Sequence, residues 1–268
     1  MTVPFENDTG NIVRKLARKS LKSEKRRNLM VVIAVALASC LICFSIVMAL
    51  STRQIEKNHV EDTYEAVYTR ITEEDVSTLK GLDDFSRVGE YYMLAVEPAE
   101  QGYNASYIYC DEETMYIARD QMKLLEGRLP QKEDEVVVSR YFLSNYGADA
   151  GIGEKVMLSS ESFHGEYTVT GIMEGYKEKE VNGSSILLSK EALKGWSGYD
   201  PADYRAYVHF KNEQQMDETE LTARSREIAK EYQLEMPIMN LSYMKFYKQP
   251  VNVSMLALVA GIAVLVII

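Results

Sequence analysis

One run of residues constrains this chain more than any other: from Leu29 to Leu50, 22 positions pass without a charge, with Arg27 just before them and Arg53 just after. Coiled as a helix at about 1.5 Å per residue, such a run matches a hydrocarbon core of roughly 30 Å. A cleaved leader peptide has a shorter apolar region of about 7–15 residues behind a brief basic stretch. Here the run is longer and follows 28 residues, so an uncleaved membrane anchor is expected.

Charge divides along the chain in the same way. Residues 1–28 carry eight Lys/Arg against three Asp/Glu, and the rest carries 22 against 37, so the net charge of −10 hides a basic arm and an acidic body. Cationic flanks of a span stay on the cytoplasmic side, which predicts an N-terminus inside the cell. The acidic body argues against nucleic acid, whose binding needs clustered Lys and Arg.

Read as a helix from Ile12 to Arg27, the arm places Ile12, Val13, Leu16, Ala17 and Ser20 on one face. Arg14, Lys15, Arg18, Lys19, Lys22, Lys25 and Arg26 fall on the other. Asp8, Thr9 and Asn11 stand ahead as capping candidates. Such a helix suits the inner leaflet, with Arg14, Lys15, Arg18 and Lys19 on anionic head groups and membrane lipids as its partner. A plain basic run that only sets topology is the alternative.

The far end repeats the membrane signal. No charge follows Lys248, and Met255 to Ile268 is apolar or Gly throughout. Fourteen helical residues reach only about 21 Å, so residues 250–268 are expected to begin a second span. Tyr243, Lys245, Phe246, Tyr247 and Lys248 precede it, residue types suited to anchoring at a membrane interface.

Four regions follow: a basic arm at 1–28, a membrane helix at 29–50, a domain at 51–249 and the start of a further helix at 250–268. The fold class expected is a membrane protein, with α-helical spans and a mixed α+β extracytoplasmic domain in which a division into two subdomains would fall near Gly127. Val, Ile and Tyr enrichment predicts strands over Arg87–Val96, Ser106–Tyr109, Glu135–Ser139, Lys155–Ser159, Glu166–Met173, Ser185–Leu188 and Arg205–Phe210. Helices are predicted over Glu73–Lys80, Arg119–Leu125, Arg140–Tyr146, Lys190–Gly195 and Glu213–Glu231, and the first span is expected to continue as a helix through Gln54–Tyr68.

No Gly-x-x-x-x-Gly-Lys-Ser/Thr phosphate loop occurs, so ATP hydrolysis, if coupled to this chain, belongs to a partner. His59, His164 and His209 have no metal-ligand spacing and read as solvated or strand-surface residues. Ser162-Phe163-His164 lacks the elbow and the orienting acid of a nucleophile site. Asp111-Glu112-Glu113 and Glu133-Asp134-Glu135 lack the alternating spacing of a calcium loop and read as solvated turns. No catalytic, cofactor-binding or metal residue is assigned. Cys40 and Cys43 fall in the span, and Cys110 reads as a buried free thiol.

The arm from Asn11 to Arg27 followed by a span resembles the start of FtsX/MacB-type ABC transporter permeases. Glu126-Gly127-Arg128-Leu129-Pro130, Asp134-Glu135-Val136-Val137-Val138-Ser139, Gly151-Ile152-Gly153-Glu154-Lys155-Val156 and Tyr167-Thr168-Val169-Thr170-Gly171-Ile172 are similar, in that order, to turns and strands of that family's extracytoplasmic domain. Glu154 stands where Asp is usual. The resemblance implies a multi-pass permease subunit, acting as a homo- or heterodimer of permeases with a cytoplasmic ABC ATPase, that turns ATP hydrolysis into mechanical work or export outside. A membrane sensor with a ligand-binding ectodomain is the alternative reading.

Overall fold

The computed structural model describes residues 9–23, 25–61, 63–100, 102–119, 122–145, 150–175, 178, 182–212 and 215–248. Residues 56–250 form one compact unit and the remainder another.

In the N-terminal part, α1 (Thr9–Ser23) is followed by α2 (Lys25–Val60), a 36-residue helix that contains the whole uncharged run. Residues Lys25–Asn58 are long and apolar enough to cross a membrane. The hydroxyls of Ser39 and Ser45 donate to the carbonyls of Val35 and Leu41 at 2.8 Å, so these polar groups are satisfied by the helix itself, as a lipid environment demands. Every described residue of the arm from Thr9 to Arg27 is helical, Lys25, Arg26 and Arg27 falling in α2, and Glu24 lies outside the described residues. Asp8 lies outside the described residues.

Beyond α2 the elements are β1 (Ala66–Ile71), α3 (Glu73–Lys80), β2 (Phe85–Pro98), β3 (Asn104–Cys110), α4 (Glu112–Ile117), β4 (Met122–Gly127), β5 (Glu135–Ser139) and α5 (Arg140–Asn145). There follow β6 (Lys155–Ser159), β7 (His164–Gly175), β8 (Gly183–Leu188), α6 (Lys190–Gly195), β9 (Tyr204–Phe210), α7 (Glu218–Glu231), β10 (Ile238–Met239) and α8 (Leu241–Tyr243), which runs into a π-helical turn, Met244–Lys248. The described strands make one sheet in the order β10-β1-β9-β2-β3-β8-β5-β7-β4, with β6 also on β7. The β3–β8 and β5–β7 pairs are parallel, and the other pairs are antiparallel.

Period-two alternation sorts the side chains to two faces. Val136, Val138, Ile186, Leu188, Tyr204, Ala206, Val208 and Phe210 share one core with Leu79 of α3, Phe142 of α5, Leu193 of α6, and Leu221 and Ile228 of α7. Their neighbours Val137, Leu187 and Tyr207 join a smaller core with Met115 and Ile117 of α4. A sheet covered on both faces reads as near-continuous apolar runs, which is why Val136-Val137-Val138 is buried at every position.

Helix starts are set by side-chain caps. Thr72 and Asp75 form a reciprocal capping box on α3, and Asp217 and Glu220 do the same on α7. The second box explains why α7 begins at Glu218, with Gln215–Asp217 outside the helix; Glu213 lies outside the described residues. Two further predictions are corrected. Met122–Gly127 is a strand and not part of a helix, because it is hydrogen-bonded to β7, with Met122 opposite Gly175 and Leu124 opposite Met173. Six residues cannot sustain a helix by propensity once a ladder is on offer. The helix leaving the span stops at Val60, where Thr63 donates its hydroxyl to the Val60 carbonyl at 2.9 Å, and Ala66–Tyr68 is strand.

Candidate functional site at the entry and exit of the domain

The chain enters the domain where α2 ends. Lys57 and Glu61 pair across one turn at 3.4 Å, and Arg119 donates to the Glu61 carbonyl. Tyr64 N–H then donates to the Ile117 carbonyl at 3.0 Å, and Glu65 N–H to Val208 at 3.0 Å. These bonds fasten the first residues after α2 to α4 and to β9.

The chain leaves at the same sheet edge. β10 pairs with β1, Met239 opposite Ala66 and Ile238 opposite Val67. Asn240, buried at 6 % exposure, donates its backbone N–H to the Glu65 carbonyl at 2.8 Å and its side-chain amide to the Tyr64 carbonyl at 2.9 Å. Its Oδ1 accepts the N–H groups of Ser242 and Tyr243 at 3.1 and 3.2 Å, capping α8. One side chain therefore closes the entry and starts the exit.

Beneath this knot sits a fully buried carboxylate. Glu65 accepts the Phe210 N–H at 2.7 Å and stands 2.7 Å from His209 Nδ1. His209 does lie on a strand as expected, but its side chain is only 13 % exposed, so it is not a solvated residue. His164 is exposed on β7, and the His59 side chain lies outside the described residues. The rings of Tyr64 and Tyr207 meet edge to face at 4.7 Å, and Tyr91 extends the stack.

Of the residues expected at the membrane interface, Tyr243 is buried at 3 % exposure in the domain core, and Phe246 packs against that core. Lys245 and Tyr247 are exposed, with the Tyr247 ring 4.9 Å from both Tyr243 and Phe246. The Lys248 side chain and residues 250–268 lie outside the described residues. At the other end Arg14, Lys15, Arg18 and Lys19 are all exposed on α1.

Two ionic clusters anchor the sheet away from the knot. In the first, Lys190 reaches Glu73 at 2.7 Å and Glu90 at 2.5 Å, while Lys80 joins Glu90 to Asp111 and Lys194 joins Glu73. Hydrogen bonds from Lys190, and then from Lys194, hold the Glu73 carboxyl below its usual range. Burial works against the charge of Lys190, yet its bonds to Glu73 and Glu90 outweigh that and raise its pKa. Asp111 also caps α4 by accepting Thr114 N–H at 2.9 Å, and Glu113 pairs with Arg87 at 2.8 Å. The acidic triplet expected as a solvated turn is thus a helix start with two assigned ion pairs.

The second cluster explains the Gly-Arg-Leu-Pro phrase. Arg128 grips Glu135 through both its terminal nitrogens at 2.8 and 2.7 Å, and Gln131 N–H adds 2.9 Å. The Arg128 bonds, then that backbone bond, push the Glu135 carboxyl down to about 2. Glu135 is 6 % exposed and is no solvated turn residue. Gly127 precedes it at φ +82°, where a Cβ would run into the Thr170 carbonyl, so only glycine closes this turn. Glu154, departing from the usual Asp, accepts the Gly151 N–H at 2.7 Å, so the longer carboxylate still closes its turn.

The Ser162 hydroxyl donates to Glu97 and does not meet a base, which leaves it a surface loop residue. Cys110 is buried, with its thiol 3.8 Å from Met122 sulfur.

The model of the MacB-like periplasmic core domain family matches residues 29–226, from the first residue of the uncharged run into α7. The chain belongs to that family. β10 and Asn240 lie beyond the matched range. No curated protein matches the sequence. Among solved structures, the domain is similar to the extracellular domain of the noncanonic ABC-type transporter YknZ from Gram-positive bacteria. The identity is 15 %, over 66 % of this chain and 100 % of that one, with a TM-score of 0.47. It is also similar to the periplasmic region of MacB from Actinobacillus actinomycetemcomitans, at 11 % identity over 69 % and 92 % of the two chains, with a TM-score of 0.47. As a member of this family, the protein carries a MacB-like periplasmic core domain behind one candidate membrane helix.

Proposed function

We propose that this chain is the permease subunit of an ABC transporter, multi-pass in the cell membrane with its N-terminus in the cytoplasm. It works with a separate ATPase subunit, and its domain outside the membrane converts nucleotide-driven movement into mechanical work or export. The observation that carries the reading is the pairing of β1 with β10. The strand that follows the first span and the strand that precedes the second apolar segment are hydrogen-bonded neighbours, knotted by Asn240. A displacement of either span relative to the other must therefore strain this one edge, and the ladder hands that strain to β9 and onward through the sheet. Exposed Lys245 and Tyr247 suit the membrane interface just before the second span.

The test uses the full-length protein purified from membranes. An ABC ATPase subunit is expected to accompany it, and hydrogen exchange in 64–67 and 238–240 is expected to change when a non-hydrolysable ATP analogue is added. If no ATPase binds, the permease reading fails; if one binds and these segments stay unchanged, the route through β1 and β10 fails. Orientation has its own readout: a cysteine in place of exposed Ser144 should react with a membrane-impermeant maleimide on intact cells, and protection of that residue would invert the topology.

A further inference from the structure

The arm helix α1 is a surface with a partner of definable chemistry. Every described side chain from Gly10 to Ser23 is exposed, including Ile12, Val13 and Leu16 at 57, 61 and 63 %. A helix that is apolar along one face and exposed there is incomplete on its own. Successive residues turn by about 100°, so Ile12, Val13 and Leu16 share one side with Ser20 and Ser23, while Arg14, Lys15, Arg18, Lys19 and Lys22 crowd the opposite side. No acidic residue lies in α1, and among the described residues no carboxylate pairs with these five cations. The Ser23 hydroxyl is turned back onto the Ser20 carbonyl at 3.1 Å, so the apolar side presents one fewer unsatisfied polar group.

Chain length then settles where this surface can go. Ser23 precedes the first residue of the uncharged run by six positions, about 9 Å of helix rise. That tether is close to the depth of one head-group layer, which takes up the difference between a hydrocarbon core of about 30 Å and a bilayer of about 40–45 Å. The C-terminal end of α1 is therefore confined to the surface of the leaflet the span starts from. We propose that α1 lies in that surface as a receptor for anionic phospholipid, with Ile12, Val13 and Leu16 seated among the acyl chains and Arg14, Lys15, Arg18, Lys19 and Lys22 among phosphate head groups. The consequence is a permease whose cytoplasmic arm is held, and can be released, by the anionic lipid content of the membrane. This rests on the span reading above.

The test places an environment-sensitive fluorophore on a cysteine at Leu16, with Cys40, Cys43 and Cys110 replaced by Ala. The full chain is reconstituted in lipid nanodiscs without any ATPase. In phosphatidylcholine discs the probe should be quenched by aqueous iodide. Adding phosphatidylglycerol should shift its emission to the blue and protect it, and salt should reverse this. The combined variant Arg14→Glu, Lys15→Glu, Arg18→Glu, Lys19→Glu should need several-fold more phosphatidylglycerol for the half-maximal shift, and its exposed positions cannot upset a core. A probe that stays quenched at high phosphatidylglycerol, or is protected only once an ATPase subunit or a nucleic acid is added, overturns the proposal. A second probe at Leu41 must be protected in every disc; if it is not, the span reading has failed instead.

Discussion

The side-chain amide of Asn240 donates to the carbonyl of Tyr64 across 2.9 Å, joining residues separated by 176 positions. The described strands β1 to β10 lie between them in the chain, and α2 ends just before Tyr64. A residue placed there is expected to matter for stability and for coupling at once.

Asn240→Ala removes the donor to Tyr64 and the cap that receives Ser242 and Tyr243, at a site closed to water. Loss of a cap costs about 0.5–2 kcal/mol, and a stranded buried acceptor about 1–3. A loss of about 2–3 kcal/mol is therefore expected in urea unfolding followed by Trp196 fluorescence. Asn240→Asp keeps an oxygen for the cap but turns a carboxylate onto the Tyr64 carbonyl, so it should lose at least as much. Equal stability of Asn240→Ala and the parent would remove Asn240 from its role as the knot.

The Arg128 grip on Glu135 predicts an acid-dependent term. The folded-state pKa of Glu135, about 2, lies below its ordinary 4.5. A depressed carboxylate contributes stability that is present in full above the ordinary value and is lost as pH falls toward the folded one. The slope of stability with pH between about 4.5 and 2 should flatten in Glu135→Gln. Arg128→Lys should flatten it in part, because a lysine cannot pair both oxygens. An unchanged acid limb in Glu135→Gln would exclude this pair as its source.

Lys190→Met should cost more than its surface position suggests. Its partner Glu90 has a side chain only 8 % exposed, and among the described residues the cation left to that carboxylate without Lys190 is Lys80 at 3.7 Å. Breaking a buried pair from one side costs about 3–5 kcal/mol, and the remaining lysine should hold the loss nearer about 2. Adding Glu90→Gln should recover most of it. A double variant no better than the single one would show that packing, not the stranded charge, sets the cost.

Burial pushes the Cys110 thiol up, with Asp111 adding to the effect, so the thiolate is disfavoured in the folded domain. In a chain with Cys40 and Cys43 replaced by Ala, maleimide at pH 8 should modify Cys110 only when denaturant opens the domain. Prompt labelling of the native protein would contradict a packed core around β3.

Much of this could be read directly from the residues, because the signals were local. Glu73–Lys80 and Lys190–Gly195 form helices over the predicted residues, since their caps, Thr72 with Asp75 and Ser189, stand within three positions of the groups they satisfy. The turn at Gly127 is likewise written in its neighbours. Met122–Leu125 misled because its composition suits a helix, and only β7, some fifty residues later, makes it part of a strand. Ile238 and Met239 form too short a pair to signal anything, and Asn240 looks like any polar loop residue until Tyr64 is beside it. His209 reads as a surface histidine until Glu65 closes under it.

By itself the sequence determined where a hydrocarbon-length helix lies, which side of it is basic, and which residues start most helices. Those properties depend on length, charge and contacts a few residues apart. Tertiary structure alone decided that the domain's two ends share one sheet edge, that Glu65 and Glu135 are buried with partners, and that Tyr243 serves the core. Each of these brings together residues far apart in the chain, and their net free energy arises only when the rest of the sheet has already excluded water from the place where they meet.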